Sequence, residues 1–449
     1  MSMQPSPPGQ GTSTLRRTSS SLAMSTQSSS SRGSQDIAFV VFATATAGGM
    51  LHAFDDALLN RQPGVPPTQH LLALLVVTVA AVAGVAAFRR LRTGLRAALA
   101  FLFGALTLTN GAMHVMHIAV SEISGSDVTG VLAAAAGVVL LVLSAVLPFV
   151  HRGERNHGPG RRWTIRAGAV VATAAVGMFV VLPLAVAIGQ THLYRTTIGS
   201  PPSDSYRTVT FESSDGLDLA GWYAPSRNGA AVVVVASAGG DRTRTADHAE
   251  MLAAHGYGVL LYDARGTGES QGTPNGYGWA WDRDVEGAIA FLQEQPEIDP
   301  DRIGGLGLST GADVLIEVAA TNRDLQAVVS DGATGRSLGD LPDGATWELP
   351  SFWTTFTAIR VLTGTAPGPP LAELAADVSP TPLLLIAAGS LPQEREMNAR
   401  YAEAAAEPVE LWELPDVTHT AAISEVADEY EQRVIGHFDR SLLRGADGQ

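Results

Sequence analysis

The sequence predicts an α/β fold, a doubly wound and mostly parallel sheet, preceded by an all-α transmembrane bundle of about five helices. Three observations carry this reading. Five strongly apolar stretches precede residue 191, apolar β-branched runs alternate with helical patterns from residue 206 onward, and GLGLSTGAD at 305–313 sets a serine between glycines at the end of an apolar run.

The character of the 449-residue chain changes along its length. Residues 1–35 are rich in Ser, Pro, Gln and Gly and hold almost no large apolar side chain, so a disordered tail is expected. Residues 36–190 form the membrane region, 191–205 a linker, 206–440 a soluble domain with a candidate cap at 332–382, and 441–449 a C-terminal tail. There is no cysteine, which excludes thiolate nucleophiles, Cys-based zinc sites and disulfides together. Lysine is absent too, which removes Schiff-base chemistry through that side chain. A net charge of −15 argues against nucleic acid as a partner.

The apolar stretches are 36–58, 68–88, 97–120, 128–150 and 167–190. A bilayer core about 30 Å thick takes about 20 helical residues, so each is read as a span. The first begins too late, and without the short basic start, to read as a cleaved signal peptide. Arg89, Arg90, Arg92 and Arg96 lie between the second and third spans, and Arg152, Arg155, Arg161, Arg162 and Arg166 between the fourth and fifth. The positive-inside rule then places these loops and the N-terminus in the cytoplasm. An odd number of spans puts the soluble domain on the extracytoplasmic side of the cell membrane.

Within the soluble domain, RTVTFES and LDLAGWYAP read as paired antiparallel strands and AAVVVVASAGG as a buried strand ending in glycines. Helices around 243–255 and 279–295 lead to the strands YGVLLYD and RIGGLGL. A helix after Ser309 leads to LQAVVSDGA, and PLLLIAAGS, a helix near 393–406, VELWELP and a last helix near 422–440 complete the series. In such a sheet the functional site lies at the carboxyl ends of the strands, where Ser309 falls. The segment between DGATGRS and PLLLI carries Trp347, Phe352, Trp353 and Phe356, which as a cap would line an apolar acyl or aryl pocket.

With GLGLSTG, DARGTGES at 263–270 and LPDVTHT at 414–420 in hand, residues 206–440 resemble the α/β-hydrolase family. The resemblance implies a Ser-His-acid hydrolase with Ser309 as nucleophile and His419 as base, no cofactor, and backbone donors for the oxyanion from Thr310 and from Ala238, Gly239 or Gly240. His437, within a helix beside Phe438, suits packing better than catalysis. The family's usual Asp after the seventh strand is missing, and the stretch continues as LPQERE. Glu394 is the first carboxylate there, Asp331 offers a placement one strand earlier, and Glu396 is a third candidate. Asp416 reads as a turn residue, and Asp263 and Arg265 as architecture. The expected function is cleavage of a carboxylic ester of a lipid or other apolar acyl compound, with amide, thioester and acyl-transfer chemistry open to the same residues. The alternative is a non-catalytic hydrolase-like domain on a bundle that serves as scaffold, sensor or metal site.

A second constellation lies in the membrane region. His114 and His117 share a helix face, and His52, Asp55, Asp56 and His70 fall toward the same expected end of the bundle. Ionisable groups at membrane depth are costly and often functional. His52, Asp56, His114 and His117 are therefore candidate ligands for a divalent metal, although no dense motif such as H-E-x-x-H supports them.

Overall fold

The computed structural model describes residues 36–60, 67–120, 125–150, 159–192, 198–341 and 346–443. The expected N-terminal tail, Arg152 and Arg155, part of the linker and residues 444–449 lie outside the described residues.

All five apolar stretches are helical. Helix α1 is Asp36–Leu59, widened into a π-helical turn over Asp55–Leu59. It is followed by α2 (Pro67–Phe88), α3 (Thr93–Val120), α4 (Gly125–Val150) and α5 (Pro159–Val176), which passes through a second π-helical turn, Gly177–Val181, into α6 (Leu182–Thr191). Among the described residues four segments are long and apolar enough to cross a membrane: Asp36–Leu59, Thr93–Met116, Gly125–Pro148 and Val171–Thr191. The apolar run of α2 is shorter, Ala73–Phe88. Even so, its 22 residues reach about 33 Å and run antiparallel to α1. Phe88 at its end stacks on Phe42 near the start of α1, with ring centroids 4.2 Å apart, and Arg89 pairs with Asp36 at 3.4 Å. Helices α3 and α4 touch backbone to backbone. A Cβ on Gly111 would lie 2.3 Å from the Ala134 nitrogen and one on Gly137 2.5 Å from that of Leu108, the small-residue contact that lets membrane helices pack closely.

The soluble domain is an eight-stranded sheet. Its strands are β1 (Arg207–Glu212), β2 (Asp218–Ala224), β3 (Ala231–Val235), β4 (Gly258–Tyr262), β5 (Ile303–Leu308), β6 (Ala327–Asp331), β7 (Leu383–Ala388) and β8 (Val409–Leu414), in the order β1-β2-β4-β3-β5-β6-β7-β8. As expected, β1 and β2 are antiparallel; β2 and β4 are too, and every later pairing is parallel. The inner strands are unbroken apolar runs such as AVVVV because helices cover both faces. One face packs around Trp281, Leu315 and Tyr401, the other around Leu252, Tyr430 and Phe438. The covering helices are α7 (Ala246–Ala254), α8 (Asp282–Gln293), α9 (Thr310–Thr321), α12 (Pro392–Ala404), α13 (Ala422–Glu425) and α14 (Ala427–Phe438), with α10 (Leu349–Thr363) and α11 (Leu371–Ala376) between β6 and β7. The segment between β6 and β7 thus holds two helices.

Helix α10 packs directly on the π-helical turn that joins α5 to α6. Ser351 Oγ donates to Met178 O and Thr354 Oγ1 to Phe179 O, each at 3.1 Å. Both carbonyls belong to the π-helical turn, where the shifted hydrogen-bond register frees backbone acceptors for an outside donor.

Candidate active site

Strand β5 ends at Leu308, α9 begins at Thr310, and Ser309 between them holds φ 52° and ψ −116°. A non-glycine residue with positive φ is strained and persists only where its surroundings fix it. Here they do. The Ser309 N–H donates to Asp331 O at 2.8 Å. A Cβ on Gly307 would lie 2.4 Å from the Gly311 carbonyl carbon, and one on Gly311 would lie 2.4 Å from Val235 O. Gly307 and Gly311 are therefore both demanded by close backbone approach.

His419 stands in the turn after β8. Its N–H donates to Ser390 Oγ at 3.0 Å, and its Nδ1 lies 2.6 Å from Glu394 Oε2. The ring rests against Gly332, where a Cβ would come within 2.9 Å of Cε1. Gly332 follows Asp331, whose carbonyl holds the Ser309 N–H, so the imidazole lies at the strand ends that carry the serine. Among the described residues Ser309 Oγ makes no hydrogen bond to His419. Catalytic contacts of this type are often long before substrate binds.

Glu394 sits in the first turn of α12, 1 % exposed, and its other oxygen accepts the Ala388 N–H at 2.8 Å. Hydrogen bonding to Glu394 raises the His419 imidazole above its ordinary value, against the opposing effect of burial. Asp331 is also buried, and among the described residues neither of its carboxylate oxygens makes a hydrogen bond. Burial pushes its carboxyl up to about 7, opposed by the Tyr430 hydroxyl. Glu396 is exposed on α12, Asp416 is exposed in its turn, and His437 is buried in α14 with its ring 5.7 Å from Phe438. The structure puts Glu394 in hydrogen-bond contact with His419, with Asp331 within electrostatic reach of the imidazole.

One expected oxyanion donor is removed. The Gly240 N–H is donated to Ser237 O at 3.0 Å, closing a turn, so Gly240 has none to offer. Ala238 and Gly239 remain exposed in that loop, which follows β3 where Gly311 packs against it, and Thr310 begins α9 beside it. Asp263 and Arg265 are architectural, as expected. Arg242 grips Asp263 at 2.7 Å and Arg265 grips Asp284 at 2.7 Å, both as buried pairs.

Two features were not read from the sequence. Asp313, the last letter of GLGLSTGAD, is buried and accepts the N–H groups of Thr334 at 2.8 Å and Gly335 at 3.1 Å, fastening the loop after β6 to α9. Its buried position in the motif was the available signal. The second had none: Thr310 Oγ1 donates to Gly276 O at 3.0 Å, and the Gly276 N–H donates to Gln190 O of α6 at 2.9 Å. The last apolar helix before the soluble domain is thereby tied to the residue after Ser309.

A cleft of about 250 Å³ opens beside Glu394, lined by Tyr277, Phe352, Phe356, Leu391 and Met397 among others. In the bundle, His52, Asp56 and His114 converge, while the side chain of His117 lies outside the described residues.

A family model described as X-Pro dipeptidyl-peptidase (S15 family) fits residues 215–386, from the turn before β2 to β7, a stretch that includes Ser309. The soluble part of this chain has the α/β-hydrolase fold. An uncharacterized protein of Mycobacterium tuberculosis is 38% identical over 135 residues, covering 28% of this chain and 47% of that protein. The chain therefore spans about half the length of that relative. YfhR of Escherichia coli K12, also described as uncharacterized, is 27% identical over 254 residues, 53% of this chain and 82% of that one. The thiohydrolase aneE of Aspergillus aculeatus is 33% identical over 131 residues, 28% and 41% of the two chains. Among solved structures, the Pyrococcus furiosus esterase Pf2001 aligns at 22% identity and TM-score 0.45, covering 56% of this chain and 99% of that one.

Proposed function

We propose that this protein is a membrane-anchored serine hydrolase that cleaves carboxylic esters of apolar acyl groups, with lipid esters as the substrate class. The contact between His419 Nδ1 and Glu394 Oε2 at 2.6 Å, beside a serine held at positive φ, carries this reading. Ser309 Oγ attacks the ester carbonyl while His419 Nε2 takes its proton, and Glu394 holds the imidazolium that forms. The N–H groups of Thr310 and of Ala238 or Gly239 face the developing oxyanion. Collapse breaks the ester C–O bond, and His419 returns the proton to the departing alcohol. Water, deprotonated by His419, then attacks the acyl-enzyme, and the carboxylic acid leaves with Ser309 restored. No step calls for a cofactor. The strained serine and the buried acid–imidazole contact favour this over a non-catalytic scaffold, since backbone strain of this kind collects at working sites.

The cap supports an apolar substrate drawn from the bilayer. On α10, Phe352 and Phe356 line the cleft while Trp353 is 61% exposed, and Trp347 just before the helix is 58% exposed. Tryptophans so placed, next to a helix bonded to a membrane segment, suit the membrane–water interface. A peptide amino terminus is less well served. The cleft's two carboxylates are already engaged, Glu394 by His419 and Ala388, and Asp340 by the N–H groups of Ser337 at 2.8 Å and Leu371 at 2.6 Å. With a series of straight-chain esters, kcat/KM should rise about two- to fourfold per added methylene until the cleft is full. Fastest turnover on acetyl esters, or on X-Pro dipeptide amides, would contradict the assignment.

Counting α2 as a fifth traverse, with the arginine-bearing loops inside, the hydrolase domain lies outside the cell. Because the chain has no cysteine, a Ser203→Cys variant offers one thiol. It should react with an impermeant maleimide in intact cells, and reaction only after lysis would reverse the orientation.

A further inference from the structure

Where α1 and α3 end and α4 begins, the bundle buries a set of groups that its packing does not need. His52 is 0% exposed, His114 7%, Asp55 5% and Asp127 0%. One ligand atom from each of His52, Asp56 and His114 lies within 4.8 Å of the other two. The hydrogen bonds around them fix which ring nitrogens carry lone pairs. Thr129 Oγ1 has two acceptors in reach, Asp55 Oδ2 at 2.6 Å and Ser126 O at 3.0 Å, neither of which can donate, so its single proton is committed to them and at 3.1 Å it accepts from His52 Nδ1–H. That tautomer leaves the lone pair of His52 on Nε2. Nε2 is buried without a hydrogen bond and stands 3.4 Å from Asp56 Oδ2. An imidazole lone pair facing a carboxylate oxygen across this gap, out of water, is repulsive until a cation lies between them.

We infer that His52, Asp56 and His114 form a binding site for a divalent transition-metal ion of the zinc class. The gap fits: ligands about 2.0–2.1 Å from a tetrahedral zinc ion lie about 3.4 Å from each other. The second shell fits as well. His114 Nδ1 is held by Asp127 Oδ1 at 3.0 Å, and His52 is held through Thr129 by Asp55, which Asn60 Nδ2 also contacts at 2.8 Å. Carboxylates that orient ligating imidazoles through their second nitrogen are the usual support of such sites. The local backbone is shaped to suit: Asp56 belongs to the π-helical turn of α1, and Gly130 leaves room for the His114 ring, whose Cγ a Cβ there would approach to 2.2 Å. Three protein ligands leave a fourth position for water or substrate. The site lies toward the hydrolase domain, since His192 at the end of α6 is within electrostatic reach of His52.

The test uses the full-length protein purified in detergent, stripped with a chelator and titrated with Zn²⁺ against a chromophoric competitor. One tightly bound zinc per chain is expected, with affinity falling at least about 100-fold in His52→Ala and Asp56→Asn and about 10- to 100-fold in Asp127→Asn. Co²⁺ should give the intense visible bands of a tetrahedral site in the parent and lose them in Asp56→Asn. Should His52→Ala misfold by size exclusion, the parent's cobalt spectrum and Asp56→Asn decide alone. Zinc binding of equal strength in parent and variants, or no binding and no cobalt bands in the parent, overturns the site and leaves a proton as the cation between His52 and Asp56.

Discussion

Replacing Ser309 by alanine is expected to lower ester hydrolysis by about four orders of magnitude or more while leaving the fold intact, because no other group in the site can form the acyl-enzyme. The fold should survive for reasons visible around the residue. Alanine inherits the same backbone, the N–H bond to Asp331 O is unaffected, and the glycines at 307 and 311 still allow the close approach of α9 to β3. The positive φ of 52° is a backbone strain that alanine bears as serine does, so the variant should melt within a few degrees of the parent. Hydrolysis reduced less than tenfold would mean that another nucleophile works here.

Glu394→Gln carries the second large effect, a fall in kcat of about 10³- to 10⁴-fold, because a neutral amide neither holds the correct tautomer nor stabilises the imidazolium. Its pH profile gives a separate reading. His419 acts as a base only when neutral, so kcat/KM rises with pH through the imidazole pKa. Glu394 raises that pKa above its ordinary 6.5, so the parent's midpoint should lie above 6.5. Glutamine removes the negative charge that favours the imidazolium, and the midpoint should move down. Asp331→Asn is the contrasting variant. Its carboxyl is pushed up to about 7 and makes no hydrogen bond to the imidazole, so activity should stay within a few-fold of the parent. The reverse order of effects would make Asp331 the triad acid.

Much of the domain was legible in the sequence because its signals are local. A short β-branched run such as AVVVV, bounded by turn residues, reads as a buried strand, and G-x-S-x-G names a strand-to-helix turn by its spacing alone, although the contact that demands Gly311 lies on β3. His419 could be placed because its loop sits between a strand and a helix. Glu394 could only be ranked: with no Asp after β7, it was the first carboxylate of α12, but that its side chain turns inward under Ala388 is a matter of helix phase and packing. Gly240 shows the limit at one atom, since the turn to Ser237 that consumes its N–H has no sequence signature. The contacts from Gln190 through Gly276 to Thr310 join elements far apart in the chain, and only the folded arrangement discloses them. The bundle divides in the same way. Hydropathy located five helices, whereas the meeting of His52 with His114, ring centroids 4.4 Å apart, needed the packing of α1 against α3.

The most direct test of the hydrolase assignment is covalent labelling of the full-length protein with a fluorophosphonate, read by intact mass and by peptide mapping. One adduct per chain on Ser309, absent in Ser309→Ala and greatly slowed in His419→Ala, is the predicted result. A folded parent that takes up no label, or a label that persists in Ser309→Ala, would contradict it.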